Sequence, residues 1–243
     1  AMHDLFSNCI KAMEIIGDDP EFRQQLVDVL AKIKPVKVGR FGQVQEWIED
    51  WDRQGDRHRH ISHLFALHPG NLIDPITAPK WAGAARKTLE MRGTSRKYAG
   101  GWPAAVKSLY WARLMNGEEA YNHIQRALAE SIAENMFDIL PPFQLDATFG
   151  YTAAFLEMLL QSHKDEIRLL PALPSAWPDG HVRGICARGG FEVDIYWTNG
   201  NLSKAVFRSQ QGKPLKIRYR DTVKEMETQS GKEYVFRYLN EVN

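Results

Sequence analysis

The sequence predicts an all-α part followed by an all-β part. Three observations carry that prediction. Apolar residues recur at helical spacing, with one long interruption, from Leu5 to about Gln161. Beyond about His163 the period drops to two, as in Phe191, Val193, Ile195 and Trp197 alternating with Glu192, Asp194 and Tyr196. The strands follow the helices and do not interleave with them, which separates an all-α part from an all-β part. The expected division is 1–165 and 166–243, with Pro171, Pro174 and Pro178 marking the linker.

Taken in order, Leu5, Phe6, Cys9, Ile10, Met13 and Ile16 mark a first amphipathic helix. Asp18-Asp19-Pro20 reads as a stop and a new start, with Asp19 as cap and Pro20 in the first turn. Phe22, Leu26, Val29, Leu30 and Ile33 give the second stripe, so residues 3–33 read as a helical hairpin. From Lys34 to about Ile76 the period disappears among glycines, prolines, aromatics and charges; irregular segments of that length tend to be functional. Helices resume at about Thr77, end near Gly93, restart at Trp102 and again near Glu118. Pro141-Pro142 ends what precedes it, and a last helical stripe follows Gly150. In the β part Asn199-Gly200 supplies a hairpin turn. Leu215, Ile217 and Tyr219, then Tyr234, Phe236 and Tyr238, repeat the alternation.

The chain has 243 residues, 44% of them hydrophobic, with 31 basic and 30 acidic side chains and a net charge of +1. Such balance gives no electrostatic case for nucleic acid or an anionic membrane surface. No apolar run approaches the ~18 residues of a membrane span. Cys9 and Cys186 lie in regions read as separate units, so a disulfide framework is not expected. The opening residues lack a signal pattern and already stand inside a helix, the pattern expected of a piece of something longer.

Three constellations could carry chemistry. The first is Phe143-Gln144-Leu145-Asp146-Ala147-Thr148-Phe149-Gly150, where one acid stands between two aromatics at the mouth of a helix. Asp146 reads either as a helix N-cap or as a carboxylate whose charge something nearby uses. The second is His58-Arg59-His60 with His63 and His68, four of the eight histidines within eleven residues. Their spacing matches no closed zinc pattern. They read as the polar wall of a pocket for a hydroxylated ligand, or as loop histidines satisfied by backbone. The third is the run Glu46, Glu49, Asp50, Asp52 and Asp56 among Trp47 and Trp51, which suits sugar recognition and also describes a solvated loop. No G-x-S-x-G, P-loop or dinucleotide fingerprint competes. Glycoside hydrolysis needs a protonated acid at the leaving oxygen and a second group that activates water, and a pocket of His, Trp and acids with Asp146 buried at a helix start would fit such a site.

The run His58 to Gly70 resembles that of glycoside hydrolase family 95, the α-L-fucosidases and related α-L-galactosidases. So do Gln45-Glu46-Trp47, Gly101-Trp102, Trp111-Ala112-Arg113-Leu114, Phe143-Gln144-Leu145-Asp146, Leu170-Pro171-Ala172-Leu173-Pro174 and Ala187-Arg188-Gly189-Gly190-Phe191-Glu192-Val193. The resemblance implies part of an (α/α)6 toroid of helical hairpins followed by a small antiparallel β-sandwich domain. It also implies an inverting exo-hydrolase of fucosylated or L-galactosylated oligosaccharides without metal or cofactor, secreted or periplasmic. By that likeness Asp146 positions and activates the attacking water, and His58, His60, Glu46, Trp102 and Gln144 belong to the sugar pocket.

This sequence departs from the family pattern at Ala147 and Thr148, where Gly-Asn is usual, and at Pro103, where Ser is usual. The likeness assigns the general acid, and the asparagine pair that works with Asp146, to no residue of this chain. The chain is therefore expected to be the C-terminal portion of a fucosidase-like enzyme, inactive alone, exposing apolar surface to a missing half or another chain. The alternative is a non-catalytic carbohydrate-binding or assembly module derived from the same fold.

Overall fold

The computed structural model describes residues 1–17, 19–93, 101–139 and 143–238; Asp18 and the Pro141-Pro142 break lie outside them. Two compact units, Ala1–Gly93 and Thr94–Asn243, are each described separately.

The first unit opens with α1 (Met2–Ile16), closed by Gly17 in the left-handed region at φ 71°, whose N–H donates to the Met13 carbonyl. The second helix, α2 (Pro20–Leu30), starts as expected: the Asp19 carboxylate accepts the Phe22 N–H at 2.8 Å and Pro20 stands in the first turn. None of the residues of α1 is buried. Met2, Leu5, Ile15 and Ile16 of α1, and Phe22, Val27 and Val29 of α2, are exposed. The long irregular segment contains one short 3-10 helix, Ser62–Ala66. Ile61, Leu64, Leu67 and Ile73 of this segment are fully buried. The Asp74 carboxylate accepts the Ile76 and Thr77 N–H groups and leads into α3 (Pro79–Arg92). Within α3, Thr88 Oγ1 accepts the Val44 N–H at 2.9 Å and so fixes the irregular segment to the helix.

The second unit holds α4 (Gly101–Arg113), α5 (Gly117–Glu130) and α6 (Leu145–Leu159). Their ends show that α4 and α6 run side by side in the same direction. At the N-terminal ends, the Tyr151 hydroxyl donates to the Gly101 carbonyl at 2.7 Å, and a side chain on Gly101 would collide with Ala147. At the C-terminal ends, the Arg113 guanidinium donates to both Glu157 oxygens at 2.6 and 3.1 Å. Asn116 caps α5 by accepting the Glu119 N–H at 3.1 Å. Gly117 lies so close to the Leu170–Pro174 loop that a Cβ would stand 2.5 Å from the Ala172 carbonyl oxygen. Close backbone approach, not φ, demands glycine there.

Eight strands follow α6 directly: β1 (Leu160–Gln161), β2 (Ile167–Leu169), β3 (Gly180–Ala187), β4 (Phe191–Thr198), β5 (Asn201–Ser209), β6 (Leu215–Tyr219), β7 (Thr222–Met226) and β8 (Lys232–Phe236). One sheet has the order β1-β2-β6-β7, the other β3-β4-β5-β8. All pairs are antiparallel except β2 with β6, where Ile167 lies opposite Ile217. Leu169, Leu215 and Ile217 of the first sheet and Val193, Ile195 and Phe207 of the second share one core, so the expected sandwich is present. The Asn199-Gly200 turn has φ 51° and 68°, which matches the right-handed strand twist of a two-residue hairpin. One expectation needs correcting. Pro171, Pro174 and Pro178 do not separate helices from strands; they fall between β2 and β3, inside the β part.

Candidate active site

In the second unit the parallel placement of α4 and α6 brings Trp102, Gln144 and Asp146 to one end of the helix pair. A side chain on Gly150 would meet the Trp102 indole at 3.1 Å, so that ring lies directly on the second turn of α6. Asp146 is not the N-cap: Gln144 holds that position, with no side-chain bond to the helix, and Asp146 stands in the first turn. Nor is it buried. The carboxylate is exposed, between an exposed Phe149 and a Phe143 that stacks on Phe137 at 4.7 Å. The backbone N–H groups of that first turn put the positive end of the helix beneath its charge. Its neighbours on either side carry a second signal. Gln144 Oε1 and Thr148 Oγ1 are buried, and neither has a hydrogen-bond partner among the described residues. Unpaired buried polar oxygens are rare and mark places where a water or ligand is bound.

In the first unit Glu46, His58 and His60 share the irregular segment. His58 and His60 are exposed, with ring centroids 5.4 Å apart, the same-face placement that alternation predicts. Arg59 Nε donates to His60 Nε2 at 3.1 Å, which makes that nitrogen an acceptor. Partial burial, then the charges of Arg59 and His58, hold the His60 imidazole below its ordinary pKa. A neutral imidazole can both donate to and accept from a sugar hydroxyl.

Glu46 is engaged from within. Arg92, on the last turn of α3 and buried, donates to Glu46 Oε2 and places its other nitrogen 3.2 Å from Asp56 Oδ2. His63 Nδ1 stands 3.9 Å from Glu46 Oε1, too far for a hydrogen bond. Burial holds the His63 imidazole below its usual range; Glu46 and Asp52 oppose this and Arg92 adds to it. Beside His63, Asp52 and Arg92 lies a cavity of about 10 Å³, room for one water. Sequence reasoning missed Arg92. Its partners are 46 and 36 positions away, and the only local hint is a basic residue in a helix's last turn.

Among the described residues no three His, Cys, Asp or Glu side chains are arranged to hold a metal ion, and no helix is long and apolar enough to cross a membrane.

Residues 1–159 match the model of the glycosyl hydrolase family 95 catalytic domain, and residues 161–241 that of the glycoside hydrolase family 95 C-terminal domain. The chain belongs to glycoside hydrolase family 95. Its relatives include "Alpha-L-fucosidase 2" of Arabidopsis thaliana, 38% identical over 96% of this chain and 29% of that protein. "Probable alpha-fucosidase A" of Aspergillus niger is 32% identical over 82% of this chain and 28% of its own length. Its counterpart in Aspergillus oryzae is 30% identical over 83% and 32%. The family member described here thus spans less than a third of the length of these curated relatives. Among solved structures, "Putative kojibiose phosphorylase from human microbiome" aligns with a TM-score of 0.52 at 12% identity, over 95% of this chain and 36% of that one. A likeness at that identity speaks to the helices-then-sheets fold alone.

Proposed function

We propose that this chain supplies part of the active site of an inverting exo-α-L-fucosidase or α-L-galactosidase, with Asp146 activating the water. The observation that carries this reading is an exposed carboxylate on the first turn of α6, flanked by two buried, unpaired oxygens on Gln144 and Thr148 and abreast of Trp102. An inverting hydrolase needs a carboxylate that takes a proton from water as that water attacks the anomeric carbon. Gln144 Oε1 and Thr148 Oγ1 can accept hydrogen bonds but cannot take up the proton at neutral pH, so basicity falls to Asp146. Thr148 keeps a hydroxyl where the family usually has an asparagine amide. Trp102 offers a ring to stack on the sugar. The proton donor is assigned to no residue of this chain, so residues 1–243 alone are expected to bind a terminal fucose or L-galactose and hydrolyse little.

The test is proton NMR of the first sugar released from an aryl α-L-fucoside by the natural gene product that contains residues 1–243. Appearance of β-L-fucose before mutarotation supports inversion; α-L-fucose as first product overturns it. Fucose binding with no hydrolysis by that product would favour the non-catalytic binding module, to which the departures at Pro103, Ala147 and Thr148 point.

A further inference from the structure

Within residues 45–60 several polar side chains hold the backbone of this segment or of the residues just before it. Gln45 Nε2 donates to the carbonyls of Trp47 and Ile48 at 2.7 and 2.8 Å. Asp50 accepts the Arg40 N–H at 2.6 Å. Asp52, buried, accepts Gln43 Nε2 at 2.8 Å and the Glu46 N–H at 3.3 Å. Arg92 grips Glu46 and Asp56 from below. What this framework presents is a pair of tryptophans, Trp47 and Trp51, 55% and 68% exposed. A loop fixed at so many points, with its largest apolar side chains left in water, is not accounted for by packing inside its own unit. The two rings and residues Asp52 to Asp56 line an open groove of about 550 Å³.

We propose that the Trp47–Trp51 groove binds a neutral oligosaccharide. The inference rests on the reading that this chain handles saccharides. Indole faces stack on the C–H faces of pyranose rings, while the Arg53 and Gln54 side chains on the same lining can meet hydroxyls. The volume is that of a small-ligand site. Charge selects the ligand: two acids, Asp52 and Asp56, and one base, Arg53, line the groove, so an acidic saccharide gains nothing over a neutral one. The groove is joined to the imidazole pair, because Asp56 Oδ1 accepts the His58 N–H at 2.8 Å. Because the backbone beneath the rings is held before any ligand arrives, little loop ordering remains to oppose binding. Arg92 acts here as a positioning residue, reaching the groove only through Asp56 and Glu46.

The test is a titration of the isotope-labelled 243-residue chain with lactose and with cellotetraose, to about 50 mM, well above the millimolar range of weak saccharide binding. The indole N–H resonances are assigned with Trp47→Phe and Trp51→Phe. Saturable shifts of both these indoles are expected, with affinity falling about tenfold in Trp51→Ala, the loss of an anchoring aromatic. Arg92→Lys, which cannot hold two carboxylates with a planar fork, should weaken binding while the far-ultraviolet circular dichroism stays unchanged. Two still indoles, unchanged affinity in Trp51→Ala, or tighter binding of trigalacturonate than of cellotetraose would each overturn the proposal. Because the titration reads binding alone, it stands or falls apart from hydrolysis at Asp146.

Discussion

Glu157 offers a sharp test of how Trp102 and Asp146 come to lie abreast. Arg113 is 3% exposed and Glu157 19%, and the guanidinium meets the carboxylate at 2.6 and 3.1 Å across the C-terminal ends of α4 and α6. Desolvation of two charges makes such a pair a weak net contributor, but removing Glu157 takes a two-pronged carboxylate partner from a buried guanidinium. Glu157→Ala should therefore destabilise the second unit by about 3–5 kcal/mol. Replacing both partners with apolar residues of similar volume, Arg113→Met with Glu157→Leu, should recover most of that loss, since neither charge is then left buried. Urea denaturation of the four proteins gives the double-mutant cycle directly. If Glu157→Ala loses less than about 1 kcal/mol, the pair behaves as a surface ion pair and α4 is registered on α6 by apolar packing alone.

Other perturbations follow from the same geometry. Burial, with Lys107 and Arg126 adding repulsion, pushes the His123 imidazole from 6.5 down to about 4. The unfolded chain then takes up that proton first as pH falls, so the stabilisation is whole above pH 6.5 and disappears toward pH 4. At 1.36 kcal/mol per pH unit the loss is ~3 kcal/mol. His123→Gln should flatten the stability profile between those pH values, and a slope equal to the parent's would contradict the assignment. Gly117→Ala would drive a methyl against the Ala172 carbonyl and the Leu173 backbone, lowering stability by about 1–3 kcal/mol in a thermal melt. An unchanged melting temperature would show that the Leu170–Pro174 loop yields.

Much of this architecture was legible because it is local. The Asp19-Pro20 start, the end of α3 at Gly93 and the Asn199-Gly200 turn follow from side-chain and backbone preferences within four residues. Alternation found β4, β6 and β8 because one face of each is buried. Where the outcome depends on partners far along the chain, the sequence was silent. The parallel pairing of β2 with β6 joins residues 167 and 217, and neither segment carries a mark of it. Arg92 shows the same limit at the site: nothing near position 92 states that it will hold Glu46 and Asp56. Asp146 was placed on the right helix, but its exposure was misjudged. Flanking aromatics suggested burial, whereas Phe149 is itself 64% exposed. A residue's neighbours in sequence do not fix which of them turn inward at a helix mouth.

The measurement that bears most directly on the account is the turnover of an aryl α-L-fucoside by the natural gene product, compared with its Asp146→Asn variant at equal folded concentration. Loss of the base should reduce kcat by about a hundred- to ten-thousandfold, with fucose binding retained. Turnover within a few-fold of the parent would show that another group activates the water, and the exposed carboxylate at the start of α6 would have no part in the chemistry.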